Sequence, residues 1–140
     1  IESVVRAGFE NVLVLNGHGG NVAPLASCID QFQRLYQVNL QCFSYWDLYE
    51  DSDAELLDSG RRRPQDLPGH AQEFETSFAL SAFPENVRKD MWTDQNDPAP
   101  AMATEEKGRQ FIERVVDRLV SHLEAMIDGT SRIETPPFHP

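Results

Sequence analysis

The sequence predicts an α/β protein built around a parallel sheet, and three segments near the start of the chain support this. The apolar run 11–15 is typical of a buried strand, residues 21–36 carry apolar side chains at helical spacing, and residues 39–45 form a second strand-like run. Strand, helix and strand in this order make a βαβ unit, which implies parallel pairing and a right-handed crossover. Since 140 residues is the length of one domain, we expect 1–140 to form a single α/β domain.

The first predicted elements have recognisable ends. The segment 1–9 has the pattern of the tail of a helix, with Gly8 at the position of a C-terminal cap. Asn21 can cap the helix 21–36, and Pro24 is tolerated in its first turn. The chain begins without methionine and inside a helix, so we expect it to be the later part of a longer protein whose N-terminal part is missing here.

The second half predicts a long loop followed by two helices. Residues 50–68 are expected to form a surface loop, with a short helix over 53–57. Residues 69–82 begin as a turn and continue as a helix, which Phe83-Pro84 ends. Residues 94–103 form a connector.

The last helix starts at Thr104, which can cap it, and ends at Gly129. Its apolar stripe predicts a continuous buried face, made of Phe111, Val115, Leu119, Leu123 and Met126. The tail 130–140 is expected to be irregular.

Composition and charge exclude several functions. A formal net charge of −11 argues against nucleic acid as a partner, since nucleic acid is bound by clusters of Lys and Arg. The one basic run, 61–63, is either solvated or contacts an anionic substrate or a neighbouring subunit. No apolar run approaches the ~20 residues that span a bilayer, and the N-terminus lacks a secretion signal pattern. We therefore expect a cytoplasmic protein with Cys28 and Cys42 reduced and buried.

The first candidate site is the turn Asn16-Gly17-His18-Gly19-Gly20-Asn21, directly after the first strand. Ligands of open α/β sheets bind at the carboxyl ends of strands, where this histidine stands. Gly19 and Gly20 let the backbone turn sharply and approach a bound substrate closely. His18 is either a turn residue bonded to nearby backbone or a group that ligates a metal or orients a carbonyl.

The second candidate site is the run 69–77, which contains His70 and Glu73. If the helix starts at about residue 71, then His70, Glu73 and Ser77 share one face, whereas Phe74 and Phe78 pack inward on an adjacent face. These residues either form a capped amphipathic helix with solvated carboxylates, or a histidine–carboxylate pair that binds metal or transfers a proton.

Aromatic residues and the remaining histidines have less specific patterns. Trp46 and Tyr49 follow the second strand and serve either in packing or as an aromatic wall for a flat substrate. His122 is expected on the surface of the last helix or at a subunit contact, and His139 in a solvated tail.

Together the two histidine motifs resemble the creatininase family, the relatives of creatinine amidohydrolase. The resemblance rests on Val-Leu-Asn-Gly-His-Gly-Gly-Asn ending at Asn21, on Gly-His-Ala-Gln-Glu-Phe-Glu-Thr-Ser ending at Ser77, and on the aromatic pair Tyr45-Trp46 between them. It implies a three-layer α/β sandwich with a mainly parallel sheet, and a metal-dependent amidohydrolase that opens an amide or formamide bond of a small, often cyclic substrate. It also implies a homo-oligomer, hexameric in creatininase itself.

The resemblance implies roles for individual residues. His18 would be a metal ligand, His70 a proton-transfer group beside the metal, and Trp46 a wall of the substrate pocket. Creatininase carries a glutamate where Gly20 stands, and we infer that Glu73 supplies this carboxylate instead. The metal would be zinc, with manganese and iron as alternatives.

One feature of the family has no counterpart in these residues. The family carries an earlier Glu-x-His-Gly motif, which supplies most of the metal ligands, and this sequence does not contain it. The alternative to an enzyme is therefore a catalytically incomplete chain that provides only structural or oligomer contacts.

Overall fold

The computed structural model describes residues 1–59, 67–94 and 96–134. In these residues the chain forms two compact units. The first holds residues 1–47 together with the described residues from 119 onward, and the second holds the described residues from 48 to 118.

The first unit contains the predicted strand–helix–strand order. Its elements are α1 (Glu2–Arg6), β1 (Asn11–Asn16), α2 (Val22–Tyr36) and β2 (Asn39–Ser44). The strands are parallel and in register from Asn11 opposite Asn39 to Asn16 opposite Ser44. This confirms the α/β class and the parallel pairing. It also places the end of β1, where His18 follows, beside the end of β2.

The prediction that the first strand is buried is wrong for the described residues. Four of the six β1 residues are exposed or half-exposed hydrophobic residues, and Leu15 keeps 42% of its surface accessible. In the described residues β1 pairs with β2 and with no other strand, so one of its edges carries no sheet partner. By contrast, Leu40 on β2 is fully buried.

The helix ends follow the sequence pattern with one difference. Gly8 has φ = 93° just after α1, and Gly129 has φ = 84° just after the last helix, as expected for glycine caps. Asn21 occupies the N-cap position of α2, but its side chain does not bond to the helix backbone. Its amide donates to Asn16 Oδ1 instead, at 3.3 Å. The side chain of Asn21 therefore stabilises the His18 turn and not the helix.

In the first unit, the exposure of four side chains differs from the prediction. His122 is half-buried, and its side chain bonds to β2 rather than lying free on the helix surface. Its Nε2 is 2.9 Å from Gln41 Oε1, and its ring stands edge-on to Phe43 at a centroid distance of 4.9 Å. Leu123, expected to be buried, is 38% exposed because the side of the helix that faces β2 carries His122 instead. Cys28 and Cys42 are free thiols and half-buried rather than buried.

The second unit is built around an aromatic core. It contains α3 (Asp51–Ala54), α4 (Glu73–Ala82) and the first part of α5 (Glu105–Asp128). Tyr49, Phe74 and Phe111 are buried and pack edge to face, at centroid distances between 4.6 and 5.7 Å. The hydroxyl of Tyr49 donates to the carbonyl of Phe111 at 3.0 Å. Tyr49 is thus a core residue, the first of the two roles considered for it.

The expected surface loop 50–68 is partly buried. Asp53, Ala54 and Leu57 have almost no accessible surface, and the helix here is Asp51–Ala54 rather than 53–57. Asp53 accepts hydrogen bonds from Arg114 and Arg118 of α5, and these bonds attach the segment to the helix. The basic run 61–63 lies outside the described residues, as does His139.

The C-terminal end of α4 and both ends of α5 were predicted correctly. Phe83 caps α4 and Pro84 begins a separate 3₁₀ turn. The hydroxyl of Thr104 accepts a hydrogen bond from the N–H of Lys107 at 3.1 Å, which caps α5.

Candidate active-site residues

His18 follows β1 and stands at the entrance of a 3₁₀ turn, Gly19–Asn21. Its backbone is extended, and its ring Nδ1 accepts a hydrogen bond from the N–H of Gly20 at 3.1 Å. The side chain is exposed. The histidine therefore caps its own turn, and the turn presents the ring to solvent.

The contact with Gly20 determines which ring nitrogen holds the proton. A neutral imidazole has one N–H donor and one acceptor. Since Nδ1 of His18 accepts, the proton of the neutral ring is on Nε2. A metal binds to an unprotonated nitrogen. Metal binding through Nε2 would thus require the proton to move to Nδ1 and the bond to Gly20 to break.

The imidazole ring of His18 lies over position 20 and leaves room there only for glycine. A Cβ added to Gly20 would lie 2.9 Å from Cε1 and 3.0 Å from Nδ1 of His18. A Cβ on Gly19 would meet no atom within 4 Å. Of the two glycines, Gly20 is the one that the observed orientation of His18 requires.

Asn16 is the residue of this turn that the sequence reasoning missed. Its Nδ2 donates to the carbonyl of His18 at 3.0 Å and to Ser44 Oγ at 2.9 Å. Its Oδ1 accepts from the N–H of His18 at 3.1 Å and from the amide of Asn21. The available signal was an Asn-Gly pair at a strand end, because asparagine often bonds to backbone two residues ahead.

Trp46 lies in a 3₁₀ turn, Tyr45–Leu48, which follows β2. It is half-buried, and its ring meets that of Tyr45 edge to face at 5.1 Å. In the same turn, Asp47 Oδ2 accepts the N–H of Ser44 at 2.8 Å. His18, Gly19, Gly20 and Trp46 all belong to the first unit.

The second motif lies in the second unit and does not form the predicted helical face. The helix α4 begins at Glu73, Ala71 has φ = 49°, and Gln72 is extended. Glu75 Oε2 accepts the N–H of Ala71 at 2.6 Å, which stabilises this unusual backbone. His70 is therefore exposed ahead of the helix and does not share a face with Glu73 and Ser77, contrary to the prediction.

Glu73 is buried, with 1% of its surface accessible, and each of its oxygens is engaged. They accept from Lys107 Nζ at 2.6 Å, from the N–H of Ser59 at 2.8 Å and from the N–H of Asp58 at 3.0 Å. Burial alone would raise the pKa of Glu73, but the Asp58 N–H and the Lys107 ammonium outweigh it and hold the pKa below its usual range. Glu73 is thus a charged, bonded carboxylate.

The described residues do not by themselves assemble a metal site. Across the described ranges, no three side chains of His, Cys, Asp and Glu come together in a way that could hold an ion. A catalytic zinc site uses about three protein ligands. His18 supplies one exposed donor, and Glu73 is already bonded to three donors.

The creatininase family model, described as creatinine amidohydrolase, matches residues 1–123 and so includes both histidine motifs. The chain belongs to the creatininase family. This confirms the resemblance seen in the sequence, and membership in the creatininase family indicates a hydrolytic, amidohydrolase-type function on a small molecule. Searches of curated proteins and of solved structures return no match.

In the part of this creatininase-family chain that the structure describes, no helix combines the length and the apolar character needed to cross a bilayer.

Proposed function

We propose that this protein is a metal-dependent amidohydrolase that hydrolyses an amide or formamide C–N bond of a small substrate, with cyclic compounds as the first class to test. The observation that carries the proposal is an exposed histidine on a glycine turn at the end of a parallel strand, in a chain of the creatininase family. That position is where α/β proteins bind ligands. We further propose a three-layer sandwich for the complete domain, a cytoplasmic location, and a homo-oligomer, with a hexamer as the first expectation.

In this proposal His18 is a metal ligand, with zinc preferred over manganese and iron. The described residues do not make up a full ligand set, so the metal dependence rests on family membership and the further donors would lie outside them. Trp46 would wall the substrate pocket, and Gly19 and Gly20 would allow the substrate close to the backbone. His70, exposed and ahead of α4, would carry a proton to the leaving nitrogen.

The role of Glu73 follows from its partners. To act as a metal ligand or a proton carrier, it would have to release at least one of its bonds to Lys107, Asp58 and Ser59. We propose instead that Glu73 anchors the segment at Asp58–Ser59 to α4 and α5, and that it acts on the reaction only through this anchoring.

The proposal is tested by metal content and hydrolysis of cyclic amides and formamides, measured on the purified protein and its His18→Ala variant. We expect His18→Ala to lose bound metal and activity. His122→Ala is the matched control, because His122 is a histidine of the same unit that bonds to Gln41 and not to the turn. Full metal content with unchanged hydrolysis in His18→Ala would rule out the role given to His18.

A second candidate function is purely structural, with these residues serving contacts between chains. The exposed apolar side chains of Leu15 on β1, and of Val22 and Leu35 on α2, favour it. Calorimetric titration with Zn²⁺ distinguishes the two functions. Tight stoichiometric binding by the 140-residue chain supports the enzyme, whereas weak binding together with self-association supports the structural role.

A further inference from the structure

We propose that Asn16 is the positioning residue of the candidate active site, and that it holds His18 in place by bonding to both its backbone N–H and its carbonyl. This inference rests on the proposed function, because only a catalytic role makes the position of His18 matter for activity. Asn16 acts through His18 and not on a substrate itself, because its side chain is almost wholly buried and its polar atoms are bonded within the protein.

The first argument is the number of bonds that one side chain makes. A carboxamide can donate two hydrogen bonds and accept two at its oxygen. Asn16 makes all four: it donates to His18 and Ser44, and it accepts from His18 and Asn21. Because both the N–H and the carbonyl of His18 are held, the backbone at His18 has little freedom to rotate.

The second argument is that the bonds connect the two strand ends. Asn16 and Ser44 are partners in the parallel register, and the amide of Asn16 joins their side chains. Ser44 in turn donates its N–H to Asp47, in the turn that carries Trp46. A continuous path of hydrogen bonds therefore runs from the Trp46 turn through Ser44 and Asn16 to His18.

The third argument is the location of Asn16 between two clefts. A cleft of about 340 Å³ lies on the side of Gly17 and Cys28, and a cleft of about 150 Å³ lies on the side of Ser44 and Asp47. Asn16 lines both. With its hydrogen bonds all used within the protein, Asn16 forms a fixed part of the wall of each cleft and holds the adjoining His18 turn in place.

The experiment compares Asn16→Asp and Asn16→Ala with a matched control, Asn39→Asp. Asn39 is also a buried asparagine of the sheet with four hydrogen bonds, but it lies at the opposite end, roughly 16 Å along the strands. Asn16→Asp keeps the size and the acceptor of the side chain and removes the donor to His18 and Ser44. Ser44→Ala removes only the hydrogen bond from Asn16 to Ser44, and it replaces the Asn16 variants in the experiment if they do not fold.

Three quantities are measured: the ring nitrogen signals of His18 by long-range ¹H–¹⁵N NMR, amide exchange at Gly20 and Asn21, and kcat and KM for amide hydrolysis. We expect both Asn16 variants to move the ring signals and to speed exchange about tenfold, which corresponds to loss of one hydrogen bond. We expect kcat to fall about 100-fold with little change in KM, because His18 is displaced from a productive position. Ser44→Ala should change each quantity in the same direction by less.

Two results would overturn the proposal. One is unchanged His18 ring signals and amide exchange in a folded Asn16→Asp protein. The other is an equal change at His18 in Asn39→Asp, which would mean that general loss of stability is the cause. If the wild-type protein hydrolyses no amide, the proposed function fails, but the ring signals and exchange rates still decide whether Asn16 positions His18.

Discussion

Lys107 Nζ lies 2.6 Å from Glu73 Oε1 and joins the first turn of α5 to the first turn of α4. The same ammonium donates to Asp58 Oδ2 at 2.7 Å and to the carbonyl of Met102 at 2.9 Å. One lysine thus connects four segments of the second unit around a carboxylate that has almost no accessible surface. The stability of the second unit should therefore depend on the ion pair between Glu73 and Lys107.

Glu73→Gln should lower the free energy of unfolding by about 3 kcal/mol, because it leaves the largely buried Lys107 ammonium without its main counter-charge. Urea denaturation followed by circular dichroism measures this. The double variant Glu73→Gln with Lys107→Met should lose less than the sum of the two single changes, since the two side chains interact directly.

The control for Glu73→Gln is Glu113→Gln on α5, the helix that carries Lys107. Arg109 and Glu113 are also 2.6 Å apart, but both side chains are about half exposed. Exposed ion pairs contribute little, so this change should cost less than about 0.5 kcal/mol. Equal losses in the two variants would contradict the assignment of Glu73 as a buried anchor.

Acid should destabilise the protein through Glu73 and Asp53. Burial alone would raise both pKa values, but hydrogen bonds from Lys107 and backbone N–H groups at Glu73, and from Arg118 and Arg114 at Asp53, hold each pKa below its usual range. A carboxyl whose folded pKa is lowered stabilises the protein above its unfolded pKa, about 4. This contribution is lost as the pH falls through the folded pKa.

We therefore expect the melting temperature to change little from pH 7 to about pH 5 and to fall steeply below about pH 4. Thermal melts from pH 7 to 2.5 measure this. Asp53→Asn and Glu73→Gln should each make the curve flatter in the acid range, whereas Glu113→Gln should leave its shape unchanged. A wild-type curve that stays level to pH 2.5 would exclude the predicted linkage.

Gly108 should not tolerate even a methyl group. A Cβ at this position of α5 would lie 1.9 Å from the carbonyl oxygen of Ser77 in α4. Although alanine favours a helix by about 1 kcal/mol over glycine, Gly108→Ala should destabilise the protein by about 3 kcal/mol because backbone must move. Gly17→Ala, which meets no atom within 4 Å, is the control and should change stability little. A more stable Gly108→Ala protein would show that the helices do not approach this closely.

Gly20→Ala should displace the ring of His18 without unfolding the turn. The added Cβ would stand within 3.0 Å of the ring, and the ring is the movable end of a side chain. We expect the ¹⁵N signals of His18 to shift, and the melting temperature to change by only a few degrees. Gly19→Ala, with open space around its Cβ, should leave the signals in place. Unchanged signals in Gly20→Ala would mean that the ring does not lie over Gly20.

Much of the local structure could be predicted because it depends on neighbouring residues. The caps at Gly8, Thr104 and Gly129, and the stop at Phe83-Pro84, were correct since each needs only a short stretch of chain. The start of α4 was wrong by two residues. The left-handed backbone at Ala71, held by Glu75, leaves no periodic signal in the sequence.

By itself the sequence determined the α/β class, the parallel βαβ unit, the family, and the His18 turn at the end of β1. These depend on hydrophobic periodicity and on short motifs, which are visible along the chain. Only the tertiary structure decided that Glu73 is enclosed by Lys107 and that His122 bonds to Gln41. It also decided that Gly108 lies against Ser77. In each case the partner lies more than 30 residues away along the chain. A local sequence pattern does not show which distant residue will pair with a buried charge, bond to a histidine or pack against a glycine.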